Sequence, residues 1–188
     1  MKLFSFSLTI CCLCLLAAVA CSQYPEFACD FETEEELDYL YWKCGTGYSL
    51  SEEHASSGAK CLKVDLYPAS SGSGNIYPGV AFIHFSKNWS GRNFLAFDII
   101  NPAPESLSLI LRLDDRDAPP YQDRYNGKLE IKPGLNSFKI PFNEFVTTGT
   151  QRKLRTDNIS SVLLFLDNPE IKHTLYFDNF RLLNKDKK

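Results

Sequence analysis

From Cys29 onward the chain alternates between apolar and polar positions. Leu62, Val64 and Leu66 interleave with Lys63 and Asp65; Leu95, Phe97 and Ile99 with Ala96 and Asp98; Leu107, Leu109, Leu111 and Leu113 with Ser108 and Arg112. A period of two sends successive side chains to opposite faces, so each run predicts a strand with one face in a core and the other in water. Further strands are predicted over 27–32, 76–85, 128–131, 137–141, 162–167 and 173–183. Turn residues separate them: 70–74 (Ser-Ser-Gly-Ser-Gly), Asn101-Pro102, Pro119-Pro120, Pro133-Gly134 and Asn168-Pro169. Short strands at this spacing predict an all-β, antiparallel β-sandwich of jelly-roll type rather than βαβ units. One helical signal competes. Thr33 to Glu36 fits a capping box, and Leu37, Leu40 and Tyr41 fall at i, i+3 and i+4, which predicts a two-turn helix.

Residues 1–20 break the pattern. Lys2 precedes an apolar stretch, and Ala18-Val19-Ala20 stands before Cys21, the layout of a secretory signal peptide; a membrane span is the alternative. The same residues resemble a lipobox in which Cys21 is the lipidation site, with Ala18 where Leu is usual. Ordinary cleavage before Cys21 would instead release a secreted protein, and the sequons Asn88-Trp89-Ser90 and Asn158-Ile159-Ser160 keep a eukaryotic secreted protein in view. The organisation expected is a signal peptide at 1–20, a linker at 21–28, one sandwich domain at 29–183 and a basic tail at 184–188. Of seven cysteines, Cys11, Cys12 and Cys14 lie in the signal, so Cys21, Cys29, Cys44 and Cys61 remain, free to form bridges in an exported compartment.

Composition narrows the chemistry. With 20 Lys and Arg against 23 Asp and Glu, the net charge of -3 provides no basic excess for phosphates, so nucleic acid is not an expected partner. The three histidines, His54, His84 and His173, fit no zinc motif, and Gly72-Ser73-Gly74 is no nucleophile elbow. Asp114-Asp115-Arg116-Asp117 holds the only suggestive carboxylate cluster, and hydrolysis needs two carboxyls set across a cleft. A glycan hydrolase or lyase using the acids from Asp114 to Asp123 is therefore an alternative to binding, not the main expectation. An envelope lipoprotein that binds another protein is a second alternative.

Several segments together carry a resemblance: Asp30-Phe31-Glu32, the run from Leu50 to Val64, Trp89 to Asp98, Pro133 to Phe142, and Leu175 to Leu182 with its Phe177-Asp178-Asn179-Phe180. In this order they resemble carbohydrate-binding modules of the galactose-binding-like β-sandwich fold. The resemblance implies non-catalytic glycan binding by a monomer. It also implies a structural calcium ion held by Glu32, Glu53 and Asp178, with carbonyls near Lys60 completing a shell of six to eight oxygens.

Sugars present apolar C–H faces edged by hydroxyls, so their sites combine aromatic platforms with fixed donors and acceptors. The segment 112–126 holds that mixture, and Arg112, Asp114, Asp115, Tyr121, Asp123, Arg124 and Tyr125 are the candidate ligand-binding residues. Alternation places Arg112 and Asp114 on the polar face of one strand. Tyr48, Tyr67 and Tyr77 are secondary candidates, whereas Trp42 and Trp89 are expected as core or loop anchors.

Overall fold

The computed structural model describes residues 27–184 apart from Trp42 and Cys44. The signal segment, the lipidation candidate Cys21, Trp42, Cys44 and the tail from Lys185 lie outside the described residues.

The strands are β1 (Ala28–Cys29), β2 (Leu40–Tyr41), β3 (Thr46–Ser51), β4 (Cys61–Leu66), β5 (Gly79–Phe82), β6 (Phe94–Asn101), β7 (Leu107–Asp114), β8 (Tyr125–Ile131), β9 (Gly134–Pro141), β10 (Ser161–Phe165) and β11 (His173–Leu183). They pair antiparallel in two sheets. One has the order β3-β4-β11-β6-β9 with β1 added on β11, and the other has the order β2-β5-β10-β7-β8. The predicted antiparallel sandwich is the observed architecture.

Alternation explains the core. Leu62, Val64 and Leu66 from β4, Phe97 and Ile99 from β6, and Phe177 from β11 face Leu109, Leu111 and Leu113 from β7 and Val162 and Leu164 from β10, all fully buried. Aromatic rings fill one end of this layer: Phe97 stacks on Phe180 at 5.0 Å, Phe82 meets Phe180 at 4.8 Å, and the fully buried Trp89 stacks on Phe27 at 5.3 Å. A strict period of two would put Phe177 and Phe180 on opposite faces. The β11 register shifts between Asp178 and Arg181, with Asn179 at φ 57°, and this bulge turns both rings into the core.

The predicted two-turn helix is replaced by a 3-10 helix over Glu34–Tyr39. The Glu36 carboxylate does close its start, accepting the N–H of Thr33 at 3.2 Å and of Asp30 at 3.0 Å. Its end is set by the sheet: Leu40 pairs with Phe82 and Tyr41 with Ala81, so these two residues become β2 rather than a second turn.

Candidate functional site

The five-stranded sheet turns one face to the core and the other outward. On the outward face, Tyr41 pairs with Ala81, Ala81 with Leu163, Leu163 with Arg112, and Arg112 with Asn126. These five residues form a single row across all five strands, roughly 19 Å from edge to edge at the usual strand spacing. The neighbouring row runs Gly79, Phe165, Ile110 and Lys128. Gly79 is required there, because a Cβ would stand 2.3 Å from the Leu164 carbonyl oxygen.

Aromatic rings border the row. Tyr41, Tyr77 and Tyr121 are 59%, 44% and 64% exposed, an unusual density for large side chains on one face. Tyr77 packs edge-on against Phe165 at 5.7 Å. The Arg112 guanidinium lies 4.8 Å from the Phe165 ring centre and 5.7 Å from that of Tyr121, and its Nε donates to Asn126 Oδ1 at 2.7 Å. Alongside, a groove of ≈ 580 Å³ is lined by Ser108, Ile110, Tyr121, Asn126, Lys128, Thr148 and Asp167 among others. Polar donors and acceptors thus converge with flat apolar surface, the combination that grips a sugar chain.

Of the seven sequence candidates, Arg112 and Tyr121 sit on this open face. Asp114 lies on the same side but is buried, its Oδ2 accepting from Arg124 Nη1 at 3.3 Å and from Ser161 Oγ at 3.2 Å. Burial raises its pKa despite Arg124, and among the described residues its Oδ1 has no hydrogen-bond partner. Asp115 and Asp123 belong to a buried ion cluster. Arg152 forks onto both Asp115 oxygens at 2.5 and 2.8 Å and reaches Asp123 Oδ1 with Nε at 2.6 Å, while Arg116 holds Asp123 Oδ2. These acids clamp the 115–124 segment to 147–155 and have no open oxygen for a ligand.

The expectation that Tyr125 converges on the site is corrected. Tyr125 pairs with Leu113, which faces the core, so its ring goes inward; it packs 5.1 Å from Phe145, and its hydroxyl lies over Gly127. Tyr48 likewise packs on the core, and Tyr67 lies against Lys172 and Asp65, away from this face. Sequence reasoning missed Tyr41, Lys43 and Phe165. Only strand pairing reveals them, since β2 and β10 lie far from β7 along the chain.

The calcium candidates occupy the other sheet and its loop. Asp178 Oδ2 accepts the N–H groups of Ser56 at 2.7 Å and Ser57 at 2.9 Å and the Ser56 hydroxyl at 3.1 Å. Glu32 Oε1 accepts the N–H groups of Ala59 at 2.8 Å and Lys60 at 3.1 Å. Glu53 instead accepts from the Tyr176 hydroxyl at 3.2 Å. N–H donors thus engage Glu32 Oε1 and both Asp178 oxygens, and among the described residues no three His, Cys, Asp or Glu side chains gather as a metal site.

No family model matches the chain. The curated protein beta-agarase B of Vibrio sp. (strain JT0107) is 24% identical over 147 residues, 72% of this chain but only 15% of that protein's length. Among solved structures, an exo-beta-agarase superposes with a TM-score of 0.67 at 16% identity, over 88% of this chain and 26% of its own. The family 11 carbohydrate-binding module from Clostridium thermocellum, in complex with a β-1,3-1,4-mixed-linked tetrasaccharide, superposes with a TM-score of 0.61 at 15% identity, over 89% of this chain and 100% of the module. The fold is that of a β-sandwich carbohydrate-binding module. The chain matches the whole of one such module and a minor part of each agarase.

Proposed function

We propose that this protein binds a polysaccharide chain, without cleaving it, across the outward face of its five-stranded sheet. The observation that carries the reading is the row from Tyr41 to Asn126, five strands wide, which begins at the exposed Tyr41 and is bordered by the exposed Tyr77 and Tyr121. An extended ligand laid along it meets rings for C–H stacking and Arg112 and Asn126 for hydroxyls. The shared fold with a module in complex with a tetrasaccharide supports this reading. The carboxylates that a hydrolase would use argue for binding over catalysis, because Asp114 is buried under Arg124 and Asp115 and Asp123 are held by Arg152. Export, with Cys21 as a lipid anchor, is the location that suits such a role.

The test is affinity electrophoresis of the purified protein in gels containing polysaccharides. The wild type is retarded, and Tyr77→Ala combined with Tyr121→Ala runs free with a nearly unchanged melting curve, since both rings lie at the surface outside the core. Unaltered mobility of the double variant would move the site off this face. Release of reducing ends by the wild type would replace the binding reading with the hydrolase.

A further inference from the structure

Two cations on the binding face lie against one aromatic ring. Lys43 Nζ stands 5.6 Å from the Phe165 ring centre and the Arg112 guanidinium 4.8 Å from it, so both charges share one aromatic ring. Among the described residues neither forms an ion pair, although seven other ion pairs are present. Asp114, the acid that acts most on Arg112, is engaged by Arg124. Partial burial and like charge both work against these cations. Burial followed by Arg124 lowers the Arg112 pKa, and burial followed by Arg112 lowers that of Lys43. Holding two such charges together on an apolar ring costs free energy that the free protein does not recover through pairing.

The geometry of Arg112 shows what would recover it. Its Nε is fixed by Asn126 and its plane by Phe165 and Tyr121, while its two terminal amines have no protein acceptor among the described residues. A guanidinium held in this way offers a rigid fork matched to an oxyanion, and it forms stronger, more directional bonds with a charged acceptor than with a hydroxyl. Lys43 adds a point charge beside it.

We propose that the polysaccharide bound on this face is anionic, its carboxylate or sulfate group seated between Arg112 and Lys43. This rests on the binding reading above and specifies its ligand class. Uronic acids and sulfate esters present the same oxyanion chemistry, and matched glycan pairs separate them. Binding of the full-length protein is measured by titration calorimetry with polygalacturonate against its methyl ester, and with a sulfated galactan against its desulfated form. One charged member binds at least about tenfold tighter than its neutral counterpart, and which pair shows the preference names the group. The preference fades as salt rises from low to several hundred millimolar. Lys43→Ala erases it while weak binding to the neutral polymer remains, and Arg112→Ala erases it together with part of the neutral binding. Equal affinity within both pairs, or a preference that survives Arg112→Ala, overturns the inference and leaves polysaccharide binding standing. Failure to bind any of the four polymers, or any gel of the electrophoretic test, overturns both.

Discussion

Two tyrosines four residues apart in sequence have opposite fates. Tyr121 precedes β8 in a short 3-10 turn and is exposed, while Tyr125 opens β8 in register with Leu113 and turns inward. The residue type was legible in the sequence, but its face was not, because a one-residue step in register reverses every side chain of a strand. The acids of the same segment diverge for an electrostatic reason. Burial alone would raise the Asp115 pKa, but the Arg152 fork and the Arg155 N–H outweigh it and hold the carboxyl below its ordinary value. A depressed folded-state pKa contributes stability that is fully present above the unfolded value of about 3.9 and is lost as pH falls through the folded value. Arg152→Ala leaves two buried carboxylates without their main partner and is expected to cost about 2–4 kcal/mol at pH 7, near the lower end for a buried pair because the Arg152 side chain is one-third exposed. Urea unfolding at pH 7 and again near pH 3 checks this. The deficit shrinks in acid, and a deficit independent of pH would mean that the loss comes from packing.

At the scale of elements, the loop between β3 and β4 is held from two sides, by Glu32 ahead of the 3-10 helix and by Asp178 at the β11 bulge. Gly58 completes the latch: it adopts φ +59°, and a Cβ there would stand 2.0 Å from Glu32 Oε1. With this loop closed by N–H to carboxylate bonds, a chelator is expected to leave the melting temperature unchanged. Asp178→Asn removes the charge that three donors on Ser56 and Ser57 point at, and lowers stability by about 1–3 kcal/mol. Calorimetric melting with and without EDTA separates the two accounts, and a drop on chelation would place a cation in the loop after all. The acids themselves were readable from their segments, but their partners were not, because backbone N–H groups leave no trace in a sequence. Strand β3 was also missed. Of its six residues only Tyr48 and Leu50 are large and apolar, and Gly47, Ser49 and Ser51, which alternate with them, have weak strand preference.

For the whole molecule, the sandwich was legible because runs such as those of β4, β6 and β7 carry apolar residues at every second position, and such faces are buried by packing one sheet on another. The binding row was not legible, since its members Tyr41, Ala81, Leu163, Arg112 and Asn126 come together only when the sheet order is known. The layering of the sheets also decides how the two buried thiols open to solvent. Cys29 in β1 and Cys61 in β4 are free thiols, 3% and 0% exposed. Burial, reinforced by Glu36, pushes the Cys29 thiol far up, and burial with Asp178 pushes Cys61 up to about 11. Neither forms appreciable thiolate at pH 8; Cys29 belongs to the core between the sheets, whereas Cys61 lies on the outer face of β4 with Ile100 and Tyr176, its thiol donating to the Glu53 carbonyl of the β3–β4 loop. Alkylation at pH 8 with peptide mapping is expected to leave both unlabelled in the native protein, to label Cys61 as the β3–β4 loop loosens, and to label Cys29 only as urea abolishes the near-ultraviolet circular dichroism. Labelling of Cys29 alone at low urea would instead show that β1, joined to β11 by only two residues, peels away before the core gives.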